Sequence, residues 1–258
     1  MMQKNLGILI KRQNKRTPFS YAFVSDLIVE SCVFESAFAN NTICPLYLYP
    51  EKDGPYKGPS GSIMMLFEPQ ADYEARKSNL SPAIVERLTK DFNKTPSPEK
   101  VFFYIYAVLY SNIYRTKYAE FLKIDFPRIP FTKDYILFSN MAEYGKRLVD
   151  LHLLNSAEID SPIARFQGKG ENKVEKVRYE NSKVFINKEQ YFEGMTPEIW
   201  QYQIGGYQVC EKWLKDRKGR KLSLDDIKHY CKIVTSLQKT VEIQKAIDEI
   251  YLKVEEKT

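Results

Sequence analysis

The spacing of apolar residues changes character at Ser81, and that change limits the chain to a mixed fold. Upstream, residues 6–10, 21–24, 44–49 and 62–67 alternate or run in the manner of short strands between turn-rich stretches. Downstream, Ser81-Pro82, Ser97-Pro98 and Thr196-Pro197 each set a capping hydroxyl before a proline, which at the first position of a helix loses no hydrogen bond. Residues 98–118 are apolar nearly all round (Val101, Phe102, Phe103, Ile105, Ala107, Val108, Leu109), the pattern of a helix buried in a core. Phe126-Pro127-Arg128-Ile129-Pro130 has to be extended, because two prolines exclude a helix there, and a further helix follows over 133–154.

Strand chemistry returns as a hairpin, 174–179 and 183–186, with its turn at Glu180-Asn181-Ser182. Ser223-Leu224-Asp225-Asp226 then opens a last helix, along which Ile227, Tyr230, Ile233, Val234, Leu237 and Val241 recur at three- and four-residue spacing. The expected architecture is α+β: a β-rich N-terminal part (1–80), a central helical part (81–160), an inserted β-hairpin (161–195) and a C-terminal helical pair (196–258), forming one composite domain. A chain of 258 residues is long enough to bury such a core.

Several functions are excluded or left without support. The cysteines (Cys32, Cys44, Cys210, Cys231) and histidines (His152, His229) show no C-x-x-C or H-x-x-x-H spacing, so a metal site has no ligand set. There is no G-x-x-x-x-G-K-[ST], no G-x-G-x-x-G, no G-x-S-x-G and no N-P-P-[YF]. Phe166-Gln167-Gly168-Lys169-Gly170 has the outline of a methyltransferase cofactor loop, but the charged run 171–178 follows it, so it reads as a Gly-rich turn. Both histidines fall in helical segments and read as structural, and no carboxylate pair is marked out by spacing. The longest apolar run, 101–110, is well short of the ~18 residues of a membrane span, and no leader pattern opens the chain; a cytoplasmic protein with reduced thiols is expected.

With 39 Lys and Arg against 33 Asp and Glu, the net charge of +6 permits a polyanionic partner without demanding one. Cations cluster over 11–16, over 165–178 and over 212–221. Grouped cations release counterions from nucleic acid, while Arg can take guanine and Gln or Asn adenine in paired hydrogen bonds. Arg12, Gln13, Asn14 and Arg16, and likewise Arg165 and Gln167, have that chemistry.

Specific strings carry a resemblance. Asn5-Leu6-Gly7-Ile8, Phe23-Val24-Ser25-Asp26, Pro45-Leu46-Tyr47-Leu48-Tyr49-Pro50, the stretch from Phe103 through Tyr114-Arg115 to Pro130, Gln190-Tyr191-Phe192 and Ile204-Gly205-Gly206-Tyr207 resemble the C-terminal specificity (target recognition) domain of Type ISP restriction-modification enzymes and related adenine-specific DNA methyltransferases, over about residues 5–240. The resemblance implies sequence-specific recognition of double-stranded DNA. The parent polypeptide would also carry a nuclease, a helicase-like ATPase and an adenine-N6 methyltransferase, using AdoMet, ATP and Mg. This chain would then contain no catalytic centre and no cofactor of its own, and would be a fragment or separately encoded remnant whose partners are DNA and the methyltransferase and helicase/nuclease domains.

Recognition domains vary where they read bases, so the family logic puts the readers in 11–21, 53–62 and 165–178. The expected DNA contacts are Lys11, Arg12, Gln13, Lys15, Arg16, Tyr21, Lys57, Arg165, Gln167, Lys169, Lys173, Lys176 and Arg178. The contrasting expectation is a packing module that holds a methyltransferase or helicase partner without reading bases. A self-contained enzyme is a third reading, which AdoMet binding by this chain would reveal.

Overall fold

The computed structural model describes residues 5–13, 19, 22–27, 29, 42–49 and 76–257. β1 (Gly7–Ile10), β2 (Ala22–Ser25) and β3 (Thr42–Pro45) form an antiparallel sheet in the order β2-β1-β3, with Ile8 opposite Val24 on one side and Cys44 on the other. β4 (Tyr47–Leu48) pairs with β5 (Lys77–Ser78). The strand expected over 62–67 lies outside the described residues. α1 (Pro82–Phe92) and α2 (Pro98–Tyr110) begin at the foreseen Ser-Pro steps, and the Ser97 hydroxyl accepts the Lys100 N–H.

As its apolar circumference predicts, α2 is the axis of the first core: Tyr104, Tyr106, Ala107 and Val108 have no exposed area. The helix expected to run to 118 stops at Tyr110, because Ser111 turns extended and caps α3 (Asn112–Lys117). A carboxylate remote in sequence fixes that break. Asp248 accepts from the Ser111 hydroxyl (2.7 Å), the Asn112 amide (3.0 Å) and the Ile113 N–H (3.3 Å). After α4 (Ala119–Leu122) comes the extended proline segment, pinned by Tyr104 and Tyr114 donating to the carbonyls of Pro130 (2.7 Å) and Arg128 (2.9 Å). α5 (Tyr135–His152) packs so closely on α2 that a Cβ on Gly145 would sit 1.8 Å from the Phe103 carbonyl oxygen; glycine is required there for close approach.

The second core starts beyond the 3-10 turn Ala157–Ile159. β6 (Arg165–Gln167), β7 (Arg178–Glu180), β8 (Lys183–Phe185) and β9 (Tyr191–Glu193) form an antiparallel sheet in the order β6-β9-β8-β7. The expected hairpin is its β7-β8 pair, turning at Asn181-Ser182 with φ of 49° and 58°; residues 174–177, expected to extend it, are instead a loop. α6 (Pro197–Trp200) leads to the small hairpin of β10 (Gln203–Ile204) and β11 (Tyr207–Gln208). There Gly205 and Gly206 form the turn at φ of 63° and 89°, conformations that side chains disfavour. α7 (Val209–Lys215) and α8 (Leu224–Glu256) are the C-terminal helical pair, and Ser223 with Asp226 makes a full capping box.

At 33 residues, α8 is about 50 Å long. Its first half contributes Ile227, Tyr230, Val234 and Leu237 to the second core, and its second half Ile243, Ile247, Tyr251 and Val254 to the first. No helix among the described residues is long and apolar enough to cross a membrane.

Candidate nucleic-acid interface

In the β6-β9-β8-β7 sheet, side chains alternate between faces. The middle residues Phe166, Phe192, Val184 and Tyr179 stand in register and face the core, with Phe192 and Val184 fully buried. The remaining residues therefore form two rows across the outer face: Arg165-Glu193-Lys183-Glu180 and Gln167-Tyr191-Phe185-Arg178. Arg165, Gln167 and Arg178, candidates from separate stretches of sequence, are thus brought to one surface, and all are exposed.

That face has an internal order. The Phe185 and Tyr191 rings lie 5.1 Å apart, the Arg178 guanidinium sits 4.7 Å from the Phe185 ring centre, and the Lys183 ammonium 4.5 Å from that of Tyr191. Gln167 donates to Glu193 at 2.9 Å, and Arg178 pairs with Glu180 at 3.3 Å. Lys183, Phe185 and Tyr191 escaped the reading of the sequence, although strand alternation around the foreseen turn would have put Lys183 and Phe185 on the face with Arg178.

Lys169, Lys173 and Lys176 lie in the loop 168–177, which leaves β6 at one sheet edge and enters β7 at the other. It therefore crosses the sheet end next to the Gln167-Arg178 row. The loop is clamped rather than loose. Buried Gln190 accepts the Asn172 N–H (2.8 Å), donates to the Asn172 side chain (2.7 Å) and accepts from Asn187 (3.0 Å), while the left-handed φ of 97° at Gly168 lets that backbone lie against the Glu189 carbonyl. The 217–222 loop docks beside it through Gly219 N–H to the Val174 carbonyl (2.7 Å) and Leu222 N–H to the Asn172 carbonyl (2.9 Å). Two cation clusters of the sequence thereby meet at one end of the sheet.

Ion pairing divides the cations within each cluster, with Arg178 held by Glu180 in the first. Lys212, Lys215, Arg217 and Lys221 pair with Asp216, Glu211, Asp226 and Glu171. The Lys221 ammonium, 2.7 Å away, holds the Glu171 carboxyl below the usual range. Arg165, Lys169, Lys176, Lys188, Lys218 and Arg220 form no ion pair among the described residues, and Lys173 adds to the field on Glu171.

The N-terminal candidates are placed differently. Lys11, expected to face phosphate, is buried at 1% exposure just past the end of β1, a correction that removes it from the surface. Arg12 points outward but donates to Asp125 at 3.3 Å, and Gln13 is exposed. Lys15, Arg16, Tyr21 and Lys57 lie outside the described residues.

His229 is exposed, whereas His152 is held between two hydroxyls. Tyr106 lies 2.7 Å from His152 Nδ1 and Thr240 2.9 Å from Nε2. Since Thr240 gives its own proton to the Ser236 carbonyl (2.8 Å), Nε2 carries the hydrogen and Nδ1 accepts from Tyr106. Burial, reinforced by the field of Arg115, pushes His152 down to about 3. Burial likewise pushes the Cys210 thiol up to about 12 and Cys231 to about 11, which leaves both unreactive.

The family model of the Type ISP C-terminal specificity domain matches residues 1–246. The chain belongs to that family. Among solved structures, this specificity domain is similar to the ATP-dependent Type ISP restriction-modification enzyme LlaBIII bound to DNA, at 18% identity and a TM-score of 0.68. It is also similar to the DrdV–DNA complex, at 19% identity and 0.67, and to a nuclease-deletion mutant of the Type ISP enzyme LlaGI in complex with a DNA substrate mimic, at 19% and 0.61. Each match covers 95% of this chain but only 16%, 24% and 18% of the LlaBIII, DrdV and LlaGI chains. The likeness establishes a shared fold. No curated protein matches the chain.

Proposed function

We propose that this specificity domain reads double-stranded DNA with the β6-β9-β8-β7 sheet, the Gln167-Arg178 row and the loop-bearing end supplying the contacts. The observation that carries the reading is the convergence of Arg165, Gln167 and Arg178 on one exposed face, beside a clamped loop that exposes Lys169, Lys173 and Lys176. Three interstrand spacings of ~4.8 Å make the sheet about 14 Å across, wider than the ~12 Å major groove. The sheet's strands, three residues and so about 10 Å long, are the dimension that fits across the groove, with the strand order running along it. Lysines of the loop-bearing end would follow phosphates, and Arg and Gln would read base edges. Arg12 and Gln13 are a second, smaller contact region. The DNA-bound state of the enzymes that share this fold supports the assignment.

Catalysis in this proposal belongs elsewhere in a restriction-modification enzyme of the cytoplasm: methylation with AdoMet, ATP hydrolysis and Mg-dependent cleavage, by methyltransferase and helicase/nuclease domains that this domain would orient on the target. The test is selection from a randomised duplex followed by anisotropy across a salt series. Arg165→Ala, Gln167→Ala and Arg178→Ala should each relax preference at one base pair by about 1–3 kcal/mol. Lys169→Ala, Lys173→Ala or Lys176→Ala should weaken every sequence alike and lower the salt slope by about 1. Unchanged selectivity in all three face variants, with binding indifferent to salt, would leave the packing-module reading in its place.

A further inference from the structure

A cleft of about 720 Å³ opens between the two cores, and Arg115 of α3 stands in its wall with Phe19, Thr116, Gln201, Tyr202 and Gln203. The guanidinium is held in place. Its Nε donates to the Leu109 carbonyl at 2.6 Å, its central carbon lies 4.5 Å from the Tyr110 ring centre and 5.9 Å from that of Phe19, and its charge and hydrogen bonding counter the upward push of burial on the Tyr110 and Tyr202 hydroxyls. No carboxylate among the described residues neutralises it: Glu198, the one acid on the cleft wall, pairs with Lys245 at 3.4 Å. The charge is felt inside the protein, where it adds to burial in holding His152 neutral. Two wall amides are already engaged, Asn112 with Asp248 (3.0 Å) and Gln244 with the Tyr110 carbonyl (3.1 Å). The Thr116 hydroxyl and the amides of Gln201 and Gln203 have no hydrogen-bond partner among the described residues.

We infer that this cleft binds a phosphate-type anion, taken by the Arg115 fork with donors from Thr116, Gln201 and Gln203. A planar guanidinium matches two phosphate oxygens at once, and one whose orientation is already fixed loses little freedom on binding. The anion has two possible sources, a phosphodiester of a DNA strand passing over the cleft or a free phosphate-bearing molecule. The site is separate from the sheet face and can fail independently of it.

The experiment uses the whole chain and two probes, inorganic phosphate in an otherwise phosphate-free buffer, followed by thermal shift, and a DNA duplex, followed by anisotropy. Arg115→Lys keeps the charge and loses the fork. Gln203→Glu puts a carboxylate on the wall from an exposed position outside both cores, so its fold should survive. If the source is free phosphate, phosphate stabilises the parent chain and both variants weaken that binding roughly tenfold or more, while duplex affinity holds. If the source is DNA, both variants weaken all duplexes alike and lower the salt slope by about 1, whereas Arg165→Ala and Gln167→Ala change sequence preference instead. The inference is overturned if phosphate gives no shift and neither variant alters duplex binding.

Discussion

The two larger sheets, β2-β1-β3 and β6-β9-β8-β7, are both antiparallel and both lean on helices, yet the central strand of the first is covered on both sides, with exposed residues at its β3 edge, while the second alternates across a free face. In β1 the consecutive residues Gly7, Ile8 and Leu9 are all buried, so neither side of that strand meets solvent. In β8 and β9 the middle residues are buried and their neighbours only partly so, and in β6 and β7 exposed ends flank a half-buried centre. Burial on both sides commits a strand to packing, whereas alternation leaves half its side chains available for a partner. The cations follow the same division. Lys11 is buried and Arg12 tied to Asp125, while Arg165, Lys169 and Lys176 form no ion pair among the described residues, although Arg178 of the same sheet pairs with Glu180.

The sharpest way to break this comparison is within a single sheet. Phe192→Ala removes a fully buried ring from the inner face and should cost about 3–5 kcal/mol of stability by urea unfolding. Phe185→Ala, one strand away on the outer face, should cost less than about 1 kcal/mol while weakening DNA binding. Similar losses of stability from the two would mean that the outer face is covered after all.

A second contrast sets the histidines of the two regions against each other. His229 is exposed, but His152 is held neutral in the first core down to about pH 3. A depressed histidine pKa means that below about 6.5 the unfolded chain takes up a proton the folded one refuses. Its contribution is therefore complete above that pH and drains away as pH falls toward 3, by up to about 1.4 kcal/mol per unit, or about 2 kcal/mol between pH 7 and pH 5. Urea midpoints over that range should show the slope, and His152→Asn should flatten it; an unchanged slope in the variant would assign the acid sensitivity to other groups.

The smallest effect concerns the surface cations. Lys176→Ala should lower duplex affinity evenly and Arg12→Ala should lower it less, since Arg12 already has a carboxylate to bond. Titrations at several salt concentrations would reverse the ranking of the two sheets if Arg12→Ala proved the more damaging.

Much of this was legible in the sequence because it depends on neighbours along the chain. Ser97 and Ser223 cap helices through bonds to residues three positions on, the prolines of 126–130 forbid a helix wherever they are, and the all-round apolar surface of α2 has nowhere to go but a core. The division of roles between the two sheets was less visible, because short strands look alike until their faces are covered.

By itself the sequence determined the α+β order of elements, the burial of α2, the hairpin turn near Asn181 and the family to which the chain belongs. Only the tertiary structure decided that α2 ends where Asp248 reaches it from 137 residues away, that Gly145 is needed for two helices to touch, that Lys11 is buried and that Arg165, Gln167 and Arg178 share a face. The physical reason is range. Capping, proline geometry and periodicity act within a few residues, whereas strand order, helix contact and the company a charge keeps are settled by where distant segments meet, and nothing local in the sequence encodes that distance.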